Sequence, residues 1–337
     1  MGKRGTVYNS IFSKEEWILV NPENIEIMED YKLELKQNQK KESTILQYFN
    51  DWRIIMIYIL RRLDNRCILE LNKKDFRKFS LWLSDELKVS NARANRLMSA
   101  LRSLLTYCEE DDDREYENNT ARRVKGLPKK EVRDIVFLTN DQIFKLKDEL
   151  IRLEEYQKCS LLMLAYDSSG RKNELFQVNK KCFLDEKRSY TNKVIGKRGK
   201  EFVLLYFEET KKCVKLYLEQ RGQDNLDEMW ITGTGDNKKP VTSASLYEWC
   251  LFMNNILEKL EGKSIGFNVH SLRHSSLEEY SEGSHYVCKL LGKEDGFALE
   301  ELQLLANHSS SDTTAGYLRD KKEEKLAQMF GINLSGS

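Results

Sequence analysis

The sequence predicts a mainly α-helical protein with one small β-hairpin (an α+β fold), divided into two domains. Apolar residues recur at helical spacing along most of the chain, and only three prolines interrupt it. Residues 191–207 instead place a glycine-containing turn between two short apolar runs, which is typical of a hairpin. At 337 residues the chain is longer than one hydrophobic core usually serves, so two domains are expected.

Composition excludes some classes of protein and leaves others open. Hydrophobic residues make up 40% of the chain, and lysine plus arginine (55) almost equal aspartate plus glutamate (54), so net charge gives no indication about nucleic acid. No apolar run reaches the length of a membrane span, and no signal-peptide core follows Met1. Seven cysteines in no CxxC pair favour reduced, buried thiols. We therefore expect a cytoplasmic protein with no membrane partner.

Residues 1–23 are predicted as an N-terminal arm, in the form of a short helix or a docking arm, and residues 24–110 as a domain of four helices. The second helix is expected to begin near Ser43, the third near Asn72 and the fourth after Ser90, whose hydroxyl suits a helix N-cap. The fourth helix has a polar face opposite its apolar stripe, made up of Arg93, Asn95, Arg96, Ser99 and Arg102. Such a face is either solvated or lies against phosphates.

A strong change in charge follows the fourth helix. Residues 109–117 contain seven acidic side chains and one arginine, a run too polar to form a core. A basic run comes next and includes Arg122, Arg123, Lys125, Lys129 and Lys130. We predict a charged linker at 111–135. Its basic residues either neutralise the adjacent acids or contact a duplex held between two domains.

The second domain is predicted over residues 136–337. Thr139 is expected to cap its first helix, and later helices are expected at 156–165, 209–221, 242–260, 270–282, 299–307 and 311–330. The last of these is amphipathic at its end, through Leu326, Met329 and Phe330. This tail either packs on its own domain or docks on another molecule.

Short motifs in the second domain carry groups suited to phosphodiester chemistry. They are, in order, Arg171 followed by Glu174-Leu175, Lys197 in the hairpin turn, His270 three residues before Arg273, Asn307-His308, and Tyr317 nine residues after His308. Arginine offers a planar fork of donors to phosphate oxygens, histidine titrates near neutrality, and a phenol is a nucleophile once it loses its proton. His270 and His274 have zinc-ligand spacing, but no HExxH glutamate or cysteine partner accompanies them, so no metal is expected.

Taken together and in this order, the motifs resemble those of the tyrosine recombinase (phage integrase) family over about residues 24–330. The resemblance implies a two-domain DNA clamp, with a core-binding (SAM-like) domain at 24–110 and a catalytic domain at 136–337 that ends in a docking tail. It implies a catalytic set of Arg171, Lys197, His270, Arg273, His308 and Tyr317. DNA contacts are expected from the whole polar face of the fourth helix, including Asn95 and Ser99, from the basic linker residues named above, and from Arg198 and Lys200 of the hairpin.

The resemblance also implies a reaction and partners. In the family the tyrosine, here Tyr317, attacks the scissile phosphate and forms a 3′-phosphotyrosyl link that conserves the bond energy, so no cofactor is expected. Lys197 would protonate the departing 5′-oxygen, His270 would act as general acid–base, and His308 would hydrogen-bond the phosphate. The implied partners are double-stranded DNA and further copies of the chain, in a DNA-dependent tetramer joined through the C-terminal tail. An accessory DNA-bending protein can accompany such an assembly.

Departures from the family pattern bear on function. Ser169 and Asn307 stand where the family usually has glycine, and residues 281–297 form an insertion. We expect His274 to orient a neighbour or to pack in the core, and His285 to lie at the surface. The departures leave open an alternative function, a recombinase-fold prophage repressor that binds DNA as a monomer or dimer without strand exchange. An unrelated helical interaction protein is a third alternative.

Overall fold

The structure, a computed structural model, describes residues 7–128, 135–308 and 310–319, with the side chains of all of these except Arg198 and Asp312. Residue contacts divide the chain into two compact units, Met1–Asp134 (unit 1) and Ile135–Ser337 (unit 2). Both are mainly helical, and the described strands form two antiparallel pairs in unit 2. The predicted mainly α fold with a small β component is confirmed. None of the described helices has the length and apolar character needed to cross a bilayer.

Unit 1 contains six α-helices among its described residues. They are α1 (Val7–Ile11), α2 (Lys14–Trp17), α3 (Pro22–Gln37), α4 (Glu42–Arg62), α5 (Lys73–Leu81) and α6 (Asn91–Glu110), with a π-helical turn at Trp82–Glu86. Asn72 forms a capping box at the start of α5, and the hydroxyl of Ser90 accepts a first-turn N–H of α6. The cap at Ser90 was predicted, and α5 begins next to Asn72, where the sequence predicts the start of a helix. The core between the longer helices includes Trp52, Leu97 and Leu104.

Two segments expected to lie outside the helical domain pack on it instead. In the predicted N-terminal arm, Ile11 and Val20 are buried in the core of unit 1. In the predicted linker, the described residues 111–128 also pack, with Ala121 fully buried. Arg102 of α6 donates hydrogen bonds to two carbonyls of this segment. The segment packs despite its charge because its backbone, its buried Asn119 and its few apolar side chains contact α6.

Unit 2 contains nine α-helices and four short strands among its described residues. The helices are α7 (Asn140–Arg152), α8 (Tyr156–Ser168), α9 (Lys172–Phe176), α10 (Glu208–Arg221), α11 (Ser243–Glu261), α12 (Val269–Glu282), α13 (Tyr286–Leu291), α14 (Leu299–Leu305) and α15 (Ser311–Ala315). The strands are β1 (Val194–Ile195), β2 (Glu201–Phe202), β3 (Ile231–Thr232) and β4 (Lys239–Pro240). β1 pairs with β2 inside the predicted hairpin, and β3 pairs with β4 in a sheet that the sequence did not predict. The C-terminal tail beyond residue 319 lies outside the described residues.

Two buried helices, α8 and α12, position the polar motifs. Every residue of α8 from Cys159 to Ser168 is buried, and so is every residue of α12 from Ser271 to Tyr280. Buried polar groups need partners, and several of them bond across the two helices. The hydroxyl of Ser276 donates to the carbonyl of Tyr166, for example. These bonds fix the end of α8, where the arginine turn begins, against α12.

The insertion at 281–297 belongs to the core of unit 2. His285 is fully buried, and its ring stacks on Tyr280 with centroids 3.8 Å apart and on Tyr166 at 4.1 Å. The hydroxyl of Tyr286 donates to buried Asp167 at 2.7 Å. Burial lowers the pKa of His285 to about 3. The expectation that His285 lies at the surface is wrong, because α13 folds the insertion back onto α8 and α12.

Candidate active site

Arg171 is held by a buried carboxylate at the start of a helix. It occupies the N-cap position of α9, where its backbone N–H donates to Glu174 Oε2 at 2.8 Å and its Nη1 pairs with Glu174 Oε1 at 2.9 Å. The Glu174 side chain is 2% exposed, whereas the Arg171 side chain is 27% exposed. The carboxylate therefore fixes the guanidinium in one orientation and leaves donors for an anion.

The two residues that replace glycine both have left-handed backbone. Ser169, in the turn that leads into Arg171, has a φ of 51°. Its hydroxyl makes a 2.6 Å hydrogen bond to the hydroxyl of Ser276 on α12, which helps to hold this unfavourable conformation. Asn307 has a φ of 48° just before His308, and asparagine tolerates this region better than most residues. Both positions therefore keep the turn that glycine would favour.

Arg273 is 1% exposed and is held by three acceptors. Its Nη1 donates to the carbonyl of Ser169, and its Nη2 donates to the carbonyl of Ala306 and to Nε2 of His308, each at 2.7 Å. Burial first, and the positive charge of Arg171 second, lower the pKa of Arg273 to about 10, so the guanidinium stays cationic at neutral pH. The two cations repel each other, and an anion bound between them would offset that repulsion.

The bonds of His308 determine which ring nitrogen carries the proton. A guanidinium donates and never accepts, so Nε2 of His308 accepts from Arg273. The proton of the neutral ring is then on Nδ1, which donates to Oγ1 of Thr314 at 2.9 Å. Both ring nitrogens are thus engaged within the protein. This arrangement differs from the direct phosphate contact that the resemblance implies, and it makes His308 a support for Arg273.

Tyr317 lies among these groups in the same chain. Its ring centroid is 4.4 Å from that of His274 and 5.0 Å from that of His308. The ring of His270 is 5.2 Å away in an edge-on arrangement, and Cζ of Arg273 lies 4.9 Å from the phenol centroid. The tyrosine ring therefore covers the Arg273 guanidinium. Residues that are far apart in the sequence converge around one phenol.

The three histidines around the phenol are neutral at pH 7. Desolvation first, and then the charges of neighbouring His274, Arg273 and Arg171, lower the pKa of His270 to about 4. Burial lowers the pKa of His274, and burial followed by the two arginine charges lowers the pKa of His308 to about 4. A neutral imidazole accepts a proton. His270 is the exposed ring of the three and is suited to take the phenol proton.

The hairpin carries Lys197 next to the residues that hold Arg171. Gly196, which precedes it, packs so closely that a Cβ there would lie 2.7 Å from the Phe202 ring and 3.4 Å from Glu174 Oε1. The side chain of Gln177 anchors the hairpin through two hydrogen bonds, of 2.9 and 3.0 Å, with the backbone of β1. Lys197 is exposed at the start of the turn. Lys197 therefore follows directly on a glycine that packs beside the Glu174 carboxylate, the group that orients Arg171.

The basic face predicted on α6 divides into two groups. Asn95 exchanges two hydrogen bonds with the backbone of the 111–128 segment, at 2.7 and 2.8 Å, and Arg102 donates to two more of its carbonyls. These two side chains hold the fold together. Arg93 and Arg96 instead pair with buried Asp51, at 2.5 and 3.4 Å, and the Arg96 side chain stays 45% exposed. Only this second group offers charge to a ligand.

The other predicted DNA-contact residues are mostly at the surface. Ser99 and Lys125 of unit 1 and Lys200 of the hairpin are exposed. Arg122 pairs with Glu109 at 2.6 Å, and Arg123 donates weakly to Asn118 at 3.4 Å. Lys129 and Lys130 lie outside the described residues, as does the side chain of Arg198.

Three residues that support the site were missed in the sequence. They are Ser276, Glu278 and Thr314, which bond Ser169, Arg319 and His308 respectively. Glu278 could have been identified from the sequence, because it continues the four-residue spacing of His270 and His274 along α12. Ser276 and Thr314 could not, since their partners come from distant segments.

Solved structures share this fold. The chain is similar to a lambda integrase dimer bound to a COC′ core site (TM-score 0.63, 17% identity, 94% of this chain and 83% of that chain). It is also similar to a lambda integrase tetramer bound to a Holliday junction (0.64, 17%, 88% and 77%). The Tn1549 transposon integrase in complex with circular intermediate DNA is a third match (0.62, 16%, 90% and 98%). The chain has the fold of the tyrosine recombinases and integrases.

A curated relative comes from a prophage. The SPbeta prophage-derived recombinase-like protein YomM of Bacillus subtilis (strain 168) is 25% identical over 325 residues, which are 92% of this chain and 91% of that protein. No family model matches the chain. The resemblance drawn from the motifs is therefore confirmed by fold and by a relative that spans nearly the whole chain.

Proposed function

We propose that the protein is a site-specific DNA recombinase of the tyrosine type, of phage or mobile-element origin, which cuts and rejoins DNA through a 3′-phosphotyrosyl intermediate. The observation that carries the proposal is the surrounding of Tyr317 by one arginine and three histidines of its own chain, with a second arginine next to the first. The integrase structures of the same fold, which are bound to DNA, and the recombinase-like prophage relative support it.

The two arginines would prepare the phosphate for attack. Arg171 has exposed donors and would meet the non-bridging oxygens first. Arg273 lies beneath the Tyr317 ring, so the ring must turn aside before the phosphate reaches that guanidinium. Charge that develops on the oxygens in the transition state is then shared by two fixed cations, an effect on the order of several kcal/mol. His308 would act by orienting Arg273.

The proposed covalent step, attack of Tyr317 on the phosphate, needs no cofactor. The phenol oxygen of Tyr317 forms a bond to phosphorus while the bond from phosphorus to the 5′-oxygen breaks. The phenol proton passes to neutral His270, and the ammonium of Lys197 gives a proton to the leaving 5′-oxygen. A 5′-hydroxyl from another strand then attacks the phosphotyrosyl link and restores a continuous strand. No nucleotide is consumed, because the link keeps the energy of the broken bond.

The proposed substrate is double-stranded DNA, with unit 1 as the core-binding domain and unit 2 as the catalytic domain. Arg93 and Arg96 of α6 and Lys200 of the hairpin would contact phosphates. The proposed active species is a DNA-dependent tetramer, since a dimer and a tetramer occur among the integrase structures of this fold. Residues beyond 319 would join its copies, with or without an accessory DNA-bending protein. The protein would act on DNA in the cytoplasm of a bacterial or phage-infected cell.

The test is formation of a covalent adduct with DNA. Duplexes that bind the protein are selected from a random library, nicked at successive positions, incubated with the protein and resolved on a denaturing gel. We expect a protease-sensitive adduct with wild-type protein and none with Tyr317→Phe. Tyr247→Phe, a change at a half-exposed tyrosine on α11, is the matched control and should form the adduct normally. Tight binding without an adduct at any nick position would instead identify a repressor.

A further inference from the structure

One face of α12 contacts the segment that carries Tyr317 over three successive turns. His270, His274 and Glu278 are spaced by four residues, so their side chains project from the same side of the helix. His270 lies at the edge of the Tyr317 ring, and His274 stacks on that ring. Glu278 lies one turn further along and contacts Arg319. The helix thus follows the nucleophile segment along its length.

Two of these contacts bind the backbone rather than the phenol. Nδ1 of His274 is 3.0 Å from the carbonyl oxygen of Tyr317 and must donate to it, because a carbonyl only accepts. Oε2 of Glu278 accepts the backbone N–H of Arg319 at 3.0 Å. The peptide groups on both sides of Leu318 are therefore tied to α12.

The Glu278 carboxylate is buried, and its surroundings support this attachment. Its side chain is 4% exposed, and Nε of Arg319 lies 3.8 Å from its Oε1. The guanidinium of Arg319 lies 4.7 Å from the ring of Phe137, and Leu318 packs against the small apolar cluster that includes Val287 of the insertion. A buried carboxylate is unfavourable unless it is bonded, so Glu278 favours the conformation in which the segment is docked.

We infer that His274 and Glu278 are positioning residues that fix the backbone of the nucleophile segment on its own catalytic unit, so that Tyr317 moves by side-chain rotation alone. The inference rests on the proposed function. The phenol ring covers Arg273, and a phosphate reaches that guanidinium only after the ring has turned. With the carbonyl of Tyr317 and the N–H of Arg319 held, rotation about the side-chain bonds keeps the phenol within reach of the phosphate.

The first experiment measures hydrogen–deuterium exchange of the full-length protein without DNA. Glu278→Ala should speed exchange of the amides at 317–319 by about tenfold or more, because their docked state loses an acceptor. Glu278→Gln keeps an oxygen acceptor and should stay close to wild type. Glu279→Ala is the matched control, since Glu279 is a buried carboxylate on the same helix that bonds Ser284 and not the described part of the nucleophile segment. Unchanged exchange at 317–319 in Glu278→Ala would overturn the inference.

The amides of α8 and α12 in the same spectra report whether each variant is folded. If Glu278→Ala does not fold, His274→Phe tests the same attachment from its other side, because phenylalanine keeps a stacked ring but has no Nδ1 to donate. It should also speed exchange at 317–319, and no change there would contradict the inference.

The second experiment measures the rate of adduct formation on nicked DNA. Glu278→Ala should lower this rate by about tenfold or more at an unchanged half-saturating DNA concentration, since the nucleophile is misplaced while DNA binding is intact. Glu278→Gln should restore most of the rate. A fall in DNA affinity with an unchanged rate would contradict a positioning role. Failure of the wild-type protein to form any adduct would refute the proposed function, whereas the exchange result would still decide whether the backbone is held.

Discussion

Arg102 in unit 1 and Arg273 in unit 2 make similar hydrogen bonds but differ in their surroundings. Each lies on a long helix and donates to two backbone carbonyls from distant segments. Burial lowers the pKa of both. Arg273 differs in what surrounds it, because a second guanidinium, His308 and the Tyr317 ring lie around it. Arg102 is only partly buried, and its guanidinium bonds the carbonyls of Ala121 and Val124.

This difference separates a structural arginine from one suited to catalysis. Bonding to carbonyls only shows that a buried guanidinium has been satisfied, as any buried charge must be. A second cation held nearby is unfavourable for the fold alone, since like charges repel. It becomes favourable when an anion binds between them. The pair of arginines, rather than either one, therefore supports the proposed phosphate site.

The largest expected effect follows from substituting Arg273. Arg273→Lys should lower the rate of adduct formation by about 10²–10³-fold, because an ammonium cannot replace a fork that bonds two carbonyls and a histidine while facing a phosphate. Single-turnover adduct formation on nicked DNA measures this rate. The matched change in unit 1, Arg102→Lys, should leave the rate within about threefold at saturating DNA. Equal losses in the two variants would refute the distinction between the two arginines.

Several of the residues proposed as catalytic could be located in the sequence because they are marked by their immediate neighbours. Arg171 is followed three residues later by the glutamate that holds it, and His270 and Arg273 share one helix. Local spacing of this kind survives in any fold that keeps the helix. The caps at Ser90 and Thr139, and the start of a helix near Asn72, could be predicted for the same reason.

The environment of those residues could not be predicted. The packing of residues 111–128 depends on side chains of α6 such as Asn95 and Arg102, and the burial of His285 depends on tyrosines from α8 and α12. The charge pattern of residues 111–128 and the polarity of His285 both predicted a position at the surface. Local composition gives the wrong answer when the partner comes from far away in the chain. The roles of Asn95 and Arg102 were hidden for the same reason.

The two units should also differ in their response to acid. All four histidines lie in unit 2, and the pKa values of His285, His270 and His308 are lowered to about 3, 4 and 4. These groups take up protons near pH 6.5 in the unfolded chain but only near pH 3–4 in the folded one. Unit 2 should therefore lose stability as pH falls from about 6.5 to 4. Asp167, whose pKa burial raises to about 6, acts in the opposite direction and partly offsets this loss.

His285→Asn tests this difference, because asparagine keeps an acceptor for the N-cap of α13 but does not titrate. Relative to wild type, the variant should lose about 3 kcal/mol less stability in unit 2 between pH 7 and pH 4. Native-state exchange of α8 amides, corrected for intrinsic rates, gives the free energy of opening at each pH, and the α4 amides of unit 1 are the internal control. An identical pH dependence in wild type and variant would show that His285 is not protected from protonation.

The assignment of Arg102 to the fold predicts a loss of stability without a change in the salt dependence of DNA binding. Arg102→Met should destabilise unit 1 by about 1–3 kcal/mol, because two partly buried carbonyls lose their donor. Urea unfolding measures the loss, and Arg77→Met, at an exposed arginine on α5, is the control that should change stability little. If Arg102 instead contacts a phosphate, the slope of log affinity against log salt concentration will fall in magnitude by about one, with unfolding unchanged.

The smallest expected effect comes from substituting Arg96, which lies on the same helix as Arg102 and contrasts with it. Asp51 keeps its 2.5 Å bond to Arg93 when Arg96 is removed, so Arg96→Ala should change stability by less than about 1 kcal/mol. Its exposed guanidinium is instead free to meet a phosphate, and the variant should bind DNA a fewfold more weakly with a salt slope smaller by about one. Titrations at several salt concentrations measure this slope, with Arg77→Ala as the control for removing a surface charge. An unchanged slope would mean that α6 uses its whole polar face for the fold, and the DNA-contact surface of unit 1 would then lie elsewhere.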